Sequence, residues 1–508
     1  MNEEQYRRLC DGCDQVLQAP DSTMERIAIP WLHIVREHPV FLAAYEDLFQ
    51  PGKSAVVGSA PAWLRRRAGW LKQALRPLYS DGQPWVGPGT LPKKVDFLFV
   101  SHLLNDSQAG QPEDFYFGGV ANELTARGRS AVIALINHTG RNPGPMVARW
   151  EGSVVPRVVF SDSLQPAEER HLRSGLQKES ARLREQSRGE RVEFQRRVWV
   201  RASEEAVSGR TIVALRMALQ VGDLVRRLSP RVIVVTHEGH SWERVTFAAA
   251  RKTSKDVLCV GYQHAALFRF QHAVRRRLGP PYDPDRILTA GDVTQAQLAQ
   301  EAALRGIPLT VLGSGRGSAG QPAGSDGPLR KHEGSLPDGP ACLVIPEGIA
   351  SECDILFNFS LSCAREFPMI RFVWRLHPVI SFEALAAKNH RLRDLPGNIE
   401  MSRMSMEQDL KRCRWALYRG STAIVQAVLS GLRPIYLKRI DELSIDPLYE
   451  LGPFRVAVAS PGDLEGVIRG DLQEDGNTRL QDFKASYDYC RKMFVPWNVD
   501  ALDRLVAD

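Results

Sequence analysis

The chain has 508 residues, 43% of them hydrophobic and 25% charged, with a formal net charge of +7. That length exceeds one compact core and suits two or three domains of ordinary globular composition. No run of about 18 apolar residues could span a bilayer, the N-terminus MNEEQYRRLCDGCD has no apolar leader, and the dispersed basic residues form no nucleic-acid-binding module. The expectation is a cytoplasmic protein without a nucleic-acid partner, whose excess positive charge suits phosphate-bearing small molecules or anionic lipid.

Residues 1–90 read as a helical N-terminal region, since no strand alternation occurs in them. Cys10 and Cys13 make one CxxC without a second pair or a nearby His, so they read as ordinary helix residues rather than a zinc site. Between residues 62 and 78, Trp63, Leu64, Trp70, Leu71, Leu75 and Leu78 share one helical side flanked by arginines. Such a helix packs on its own domain or rests peripherally on an anionic membrane.

From residue 91 the pattern changes to short apolar runs separated by helical stretches. Runs at 95–101, 130–136, 154–160, 231–236, 256–261, 287–290 and 309–312 predict a doubly wound parallel sheet over residues 91–313. Residues 314–340 are rich in Gly, Ser and Pro and read as a flexible linker. The GSGRG at 313–317, where this stretch begins, resembles a phosphate loop, but lacks the Gly-Lys-Ser/Thr ending and is set aside. The alternation restarts at 341–346 and continues through 372–376, 399–401, 416–418, 433–437 and 456–458, predicting a second such domain over 341–480. Helices over 481–508 follow. The fold class is therefore α/β, with two Rossmann-like domains and an N-terminal helical extension.

Open parallel sheets bind ligands beyond the carboxyl ends of their strands, so polar residues at those tips carry weight. After the run ending at Val235 come His237, Glu238, Gly239 and His240. There Glu238 suits a general base or nucleophile, Gly239 admits substrate, and His240 can tune the carboxylate. After Val260 come Gln263 and His264, candidate substrate and catalytic contacts on the same rim. In the second domain, Arg375, His377 and Pro378 follow one strand, and Gly420, Ser421 and Thr422 link another to a helix. These suit phosphate binding through an imidazole, two hydroxyls and backbone N–H groups. Glu347, after the second domain's first strand, is a candidate for the nucleotide's ribose or base. The D-x-D at Asp283-Pro284-Asp285 sits in a Pro-rich loop and reads as incidental, so no metal or other cofactor is expected.

In this order the motifs resemble those of bacterial CMP-sugar-dependent transferases of the GT-B fold. His237-Glu238-Gly239, His377-Pro378 and Ser421-Thr422 match the acidic-acidic-Gly, His-Pro and Ser-Ser/Thr motifs of the sialyltransferases, with His237 standing where that family has an acid. Phe115-Tyr116-Phe117-Gly118, Gly261-Tyr262-Gln263-His264 and Arg375-Leu376-His377-Pro378 are similar to segments of surface-carbohydrate proteins related to Kdo transferases. The resemblance, over residues 95–460, implies metal-independent transfer of an acidic sugar of the Kdo or nonulosonate type from a CMP donor. The acceptor would be a glycan or lipid-linked group of lipopolysaccharide or capsule. Glu238 would be the catalytic carboxylate, and His377, Ser421 and Thr422 would hold the donor phosphate. Two other readings stay open: a UDP-sugar GT-B transferase or epimerase holding the ribose with Asp441 or Glu442, and a binding subunit that has lost turnover.

Overall fold

The computed structural model describes residues 1–50, 68, 69, 71, 82–319, 341–377 and 379–507. The basic tryptophan-bearing stretch 62–78 lies outside these residues save Ala68, Gly69 and Leu71, as do Pro378 and residues 320–340 of the expected linker.

Each apolar run becomes a strand, and most of these strands are buried on both faces. The first sheet comprises β1 (Trp85–Val86), β2 (Phe97–Leu103), β3 (Ala131–Asn137), β4 (Arg157–Phe160), β5 (Val232–Thr236), β6 (Leu258–Gln263), β7 (Arg286–Thr289) and β8 (Leu309–Val311). Its order is β1-β4-β3-β2-β5-β6-β7-β8, parallel throughout except for β1 against β4. The second comprises β9 (Ala341–Ile345), β10 (Arg371–Trp374), β11 (Ile399–Met401), β12 (Trp415–Tyr418), β13 (Arg433–Leu437) and β14 (Val456–Val458). It is wholly parallel, in the order β11-β10-β9-β12-β13-β14. Two doubly wound α/β units in series are the GT-B plan. In both sheets the strand order reverses once, between β2 and β5 and between β9 and β12, which is where such sheets open a crevice for ligands.

Alternate residues of the first sheet feed two cores. Leu98, Val100, Ile233 and Val235 pack under the helices Glu3–Leu17 and Gly209–Leu228, with Leu9, Cys13 and Leu17 buried against them. Phe97, Phe99, Val232 and Val234 form the other face, packed against Phe117, Val120 and Leu124 and completed by Val499, Leu502 and Val506 after the chain has left the second sheet. The N-terminal region is thus a layer on the first domain, and its residues 85–86 form an edge strand rather than helix. Cys10 and Cys13 are both buried thiols. The stretch expected as linker begins with a short helix, Gly315–Ala319. No helix of the described residues is long and apolar enough to cross a membrane.

Candidate functional site

The loop after β5 is fixed by one carboxylate. Glu243, in the first turn of the helix Ser241–Thr253, accepts the backbone N–H groups of Glu238 (3.1 Å), Gly239 (2.8 Å) and His240 (3.0 Å). It also takes the His237 ring through Nδ1 at 3.1 Å. His237 is fully buried in this bond, which assigns it to holding the loop. Gly239 has φ of 89°, and a Cβ there would lie 2.4 Å from the Ala273 carbonyl carbon. Only glycine meets both conditions.

This frame presents Glu238, which is 6% exposed. Its two oxygens accept bonds of 2.9 and 2.8 Å from Arg36, and His240 Nε2 lies 3.4 Å away. Burial alone would raise the Glu238 carboxyl, but the Arg36 charge and the bond to His240 hold it well below the usual carboxylate range. Burial works against charge on His240, yet the Glu238 and Glu243 carboxylates leave its pKa raised. An ionised carboxylate beside a readily charged imidazole is the chemical centre of this half.

A ring cluster forms the wall. His102, at the end of β2, bonds Thr236 Oγ1 at 3.0 Å and His138 at 2.9 Å. Tyr116 packs edge-on against His102 and against His264, with centroids 5.2 and 4.5 Å apart. Burial takes the pKa of His102 down to about 3 and that of His264 down to about 4. Both rings are therefore neutral hydrogen-bonding groups near pH 7. Gln263 is fully buried, and neither polar atom of its side chain has a partner among the described residues.

The other half gathers at the second reversal. Glu347 follows β9 and accepts the N–H of Gly420, after β12, at 3.2 Å. A Cβ on Gly420 would sit 2.4 Å from Glu347 Oε1, so glycine is what lets the carboxylate in. His377, after β10, packs beside Gly348, where a Cβ would come 3.0 Å from its ring. Burial lowers the His377 pKa, with Glu347 acting in the opposite sense. Ser421 is buried, and the Thr422 hydroxyl accepts a 3.4 Å bond from Arg316. Arg375 points elsewhere: it bonds the Met404 carbonyl and Asp409 at 2.7 and 2.8 Å. Of the alternative ribose carboxylates, Glu442 is paired to the buried Arg419. Asp283 and Asp285 of the D-x-D are bound by Arg244 and Arg251, each at 2.8 Å.

The N-terminal layer joins the halves. Arg36 grips Glu238, and two residues on, His38 Nε2 lies 3.4 Å from Glu347 and 3.8 Å from Glu352. Residues two apart in the chain separate their Cα atoms by at most about 7 Å, so one short segment of the N-terminal layer contacts both strand-end groups. His38, Glu347 and Glu352 have the spacing of metal ligands. However, His38 Nδ1 already accepts the Val40 N–H, at 3.2 Å. The neutral ring then carries its proton on Nε2, the atom a cation would need, while Glu352 is bonded by Arg419 at 2.6 Å. The donor set fits a hydrogen-bonded bridge better than a metal centre.

Glu238, His240, His264 and Gln263 thus belong to one half, and Glu347, His377, Gly420, Ser421 and Thr422 to the other. Arg36, His38 and Arg316 were missed. Only the polar triplet Arg36-Glu37-His38, interrupting the apolar stretch from Ile27 to Leu42, hinted at the first two.

No family model matches the chain, and no curated protein matches it. Among solved structures it is similar to a glycosyltransferase of kitacinnamycin, with 13% identity, 82% of this chain and 99% of that one covered, and a TM-score of 0.43. The glycosyltransferase SnogD from Streptomyces nogalater gives 15%, 82%, 99% and 0.44. A UDP-forming α,α-trehalose-phosphate synthase from Burkholderia vietnamiensis gives 12%, 82%, 97% and 0.44. At these scores no residue or substrate is carried across; the architecture stands on the chain's own strand order.

Proposed function

We propose that the chain is a sugar transferase that takes an acidic sugar of the Kdo or nonulosonate type from a CMP-activated donor and passes it to a surface-glycan acceptor in the cytoplasm. The observation that carries this reading is that one segment, through Arg36 and His38, ties an ionised, buried Glu238 beyond β5 to Glu347 and its neighbours His377, Gly420, Ser421 and Thr422 beyond β9, β10 and β12. Breaking a sugar–phosphate bond creates an oxocarbenium-like centre and negative charge on the departing phosphate. Glu238 faces the first, and the second half supplies hydrogen-bond donors to the second; each such donor is worth ~3 kcal/mol in the transition state.

The held-down carboxyl bears on mechanism. An ionised Glu238 is ready as a nucleophile or as an electrostatic partner of the oxocarbenium centre. To act as general base it must first be released from Arg36, because a depressed pKa makes a weak base. In this reading His240 and the neutral His264 orient sugar or acceptor hydroxyls, and no metal takes part.

Thermal shift with CMP, CDP, UMP, UDP, GDP and ADP, with and without EDTA, tests the donor. A ligand at 100 times its dissociation constant adds about 2.7 kcal/mol of stability. A CMP-selective shift indifferent to EDTA is expected. Glu238→Gln should then retain CMP binding while losing nearly all transfer and donor hydrolysis; near-normal turnover in that variant removes Glu238 from the mechanism.

A further inference from the structure

The GSGRG segment set aside as part of a linker turns out to be tightly built. Gly313 has φ of 91°, and a Cβ there would stand 2.2 Å from the Pro496 carbonyl oxygen. A Cβ on Gly317 would stand 2.2 Å from the Val495 carbonyl carbon. Between them, the Ser314 N–H donates to the Val495 carbonyl at 2.8 Å, and the Gly313 carbonyl accepts the Tyr262 hydroxyl at 2.7 Å. The returning chain at 495–497 therefore leaves no room for side chains at two of the three glycines. Composition suggested a loose tether, whereas these glycines serve close backbone approach.

The one large side chain in this segment is Arg316. Its guanidinium lies over the Phe494 ring, 5.2 Å from the centroid, and reaches the Thr422 hydroxyl of the other domain at 3.4 Å. The other arginines around the two strand-end groups have acids: Arg36 holds Glu238, Arg375 holds Asp409, and Arg419 holds Glu352 and Glu442. Arg316 is exposed to the cleft and has no carboxylate within ion-pair reach among the described residues. A guanidinium aimed by a rigid backbone, stacked on an aromatic ring and left without a counter-charge suits planar, bidentate recognition of a phosphate.

We infer that Arg316 is a phosphate ligand for the nucleotide donor, gripping it from the first domain while Thr422 holds it from the second. This rests on the reading of the cleft as a nucleotide-sugar site and adds a residue from the first domain to the phosphate group. Phosphate bound there ties the two domains across the cleft, replacing the long Arg316–Thr422 bond with two bonds to one anion.

Calorimetric titration of the full chain and its Arg316→Gln and Arg316→Lys variants with CMP, cytidine, UMP and uridine tests the inference. Ligand-free thermal midpoints serve as the control for folding. Loss of a charge-assisted bond should weaken CMP about 10- to 100-fold in Arg316→Gln, leave cytidine unchanged, and be partly recovered in Arg316→Lys. Equal weakening of CMP and cytidine, or of neither, overturns the inference while leaving the donor reading intact. If the unaltered protein prefers UMP, and Arg316→Gln weakens UMP but not uridine, the CMP assignment falls and the role of Arg316 stands. A protein that binds none of the four overturns both.

Discussion

Glu37, between the two bridging residues, offers a stability test independent of any substrate. Its carboxyl is fully buried; one oxygen accepts the Phe270 N–H at 2.9 Å, and Oε2 has no partner among the described residues. Burial pushes its pKa up from 4.5 to about 7. A pKa higher in the folded than in the unfolded chain means stability that is complete below pH 4.5 and lost as pH rises to about 7. At about 1.4 kcal/mol per pH unit, the ionised carboxyl costs the fold ~3 kcal/mol above neutrality. Glu37→Gln keeps an acceptor for Phe270 and cannot ionise. Its buried amide has its own desolvation cost of ~1 kcal/mol, so the net gain at pH 8 should be ~2 kcal/mol. Thermal unfolding at pH 8 and pH 4.5 measures this: the variant's midpoint should lie above the unaltered protein's at pH 8 and slightly below it at pH 4.5, where only the amide's cost remains. An equal offset at both pH values would show that the carboxyl does not titrate near neutrality, and would refute the argument.

Arg36→Ala should move the acid limb of the pH–rate profile for donor hydrolysis to higher pH. Burial then acts on Glu238 without its main counter-charge, so its carboxyl must rise; an unmoved limb would separate Glu238 from the rate-determining ionisation. Gly239→Ala should lower the unfolding midpoint by several degrees, since a left-handed backbone alone costs about 1–3 kcal/mol for alanine and the Ala273 backbone blocks the new methyl. An unchanged midpoint would mean that the loop can rearrange without loss.

The strands were readable because buried parallel strands are short continuous apolar runs, and a polar residue directly after such a run must lie at a sheet edge. That rule placed Glu238, Glu347, His377 and Gly420 just beyond strands, where the structure has them. It could not find which strands are neighbours, and the strand-order reversals that bring Glu238 and Glu347 to the cleft are a property of the sheets. Nor could it find Arg36 and His38, whose partners Glu238 and Glu347 lie hundreds of residues along the chain. At His237 the resemblance anticipated an acid; in the structure, the buried carboxylate beside this loop comes instead from Glu243, a turn further on. GSGRG misled for a more general reason. Glycine has the same composition signature whether it frees a backbone or lets two backbones touch, and only the position of residues 495–497 tells the two apart.

The closure of the first sheet by Val499, Leu502 and Val506 also has a consequence for synthesis. On a ribosome, the first domain's strands emerge long before the side chains that cover one of their faces. Helix and loop residues of the first domain such as Phe117, Val120 and Leu124 cover part of the face of Phe97, Phe99, Val232 and Val234, but the rest stays open while the whole second domain is translated. The earliest domain to be made is therefore the later one to be completed, and a stalled or truncated chain would expose this apolar face.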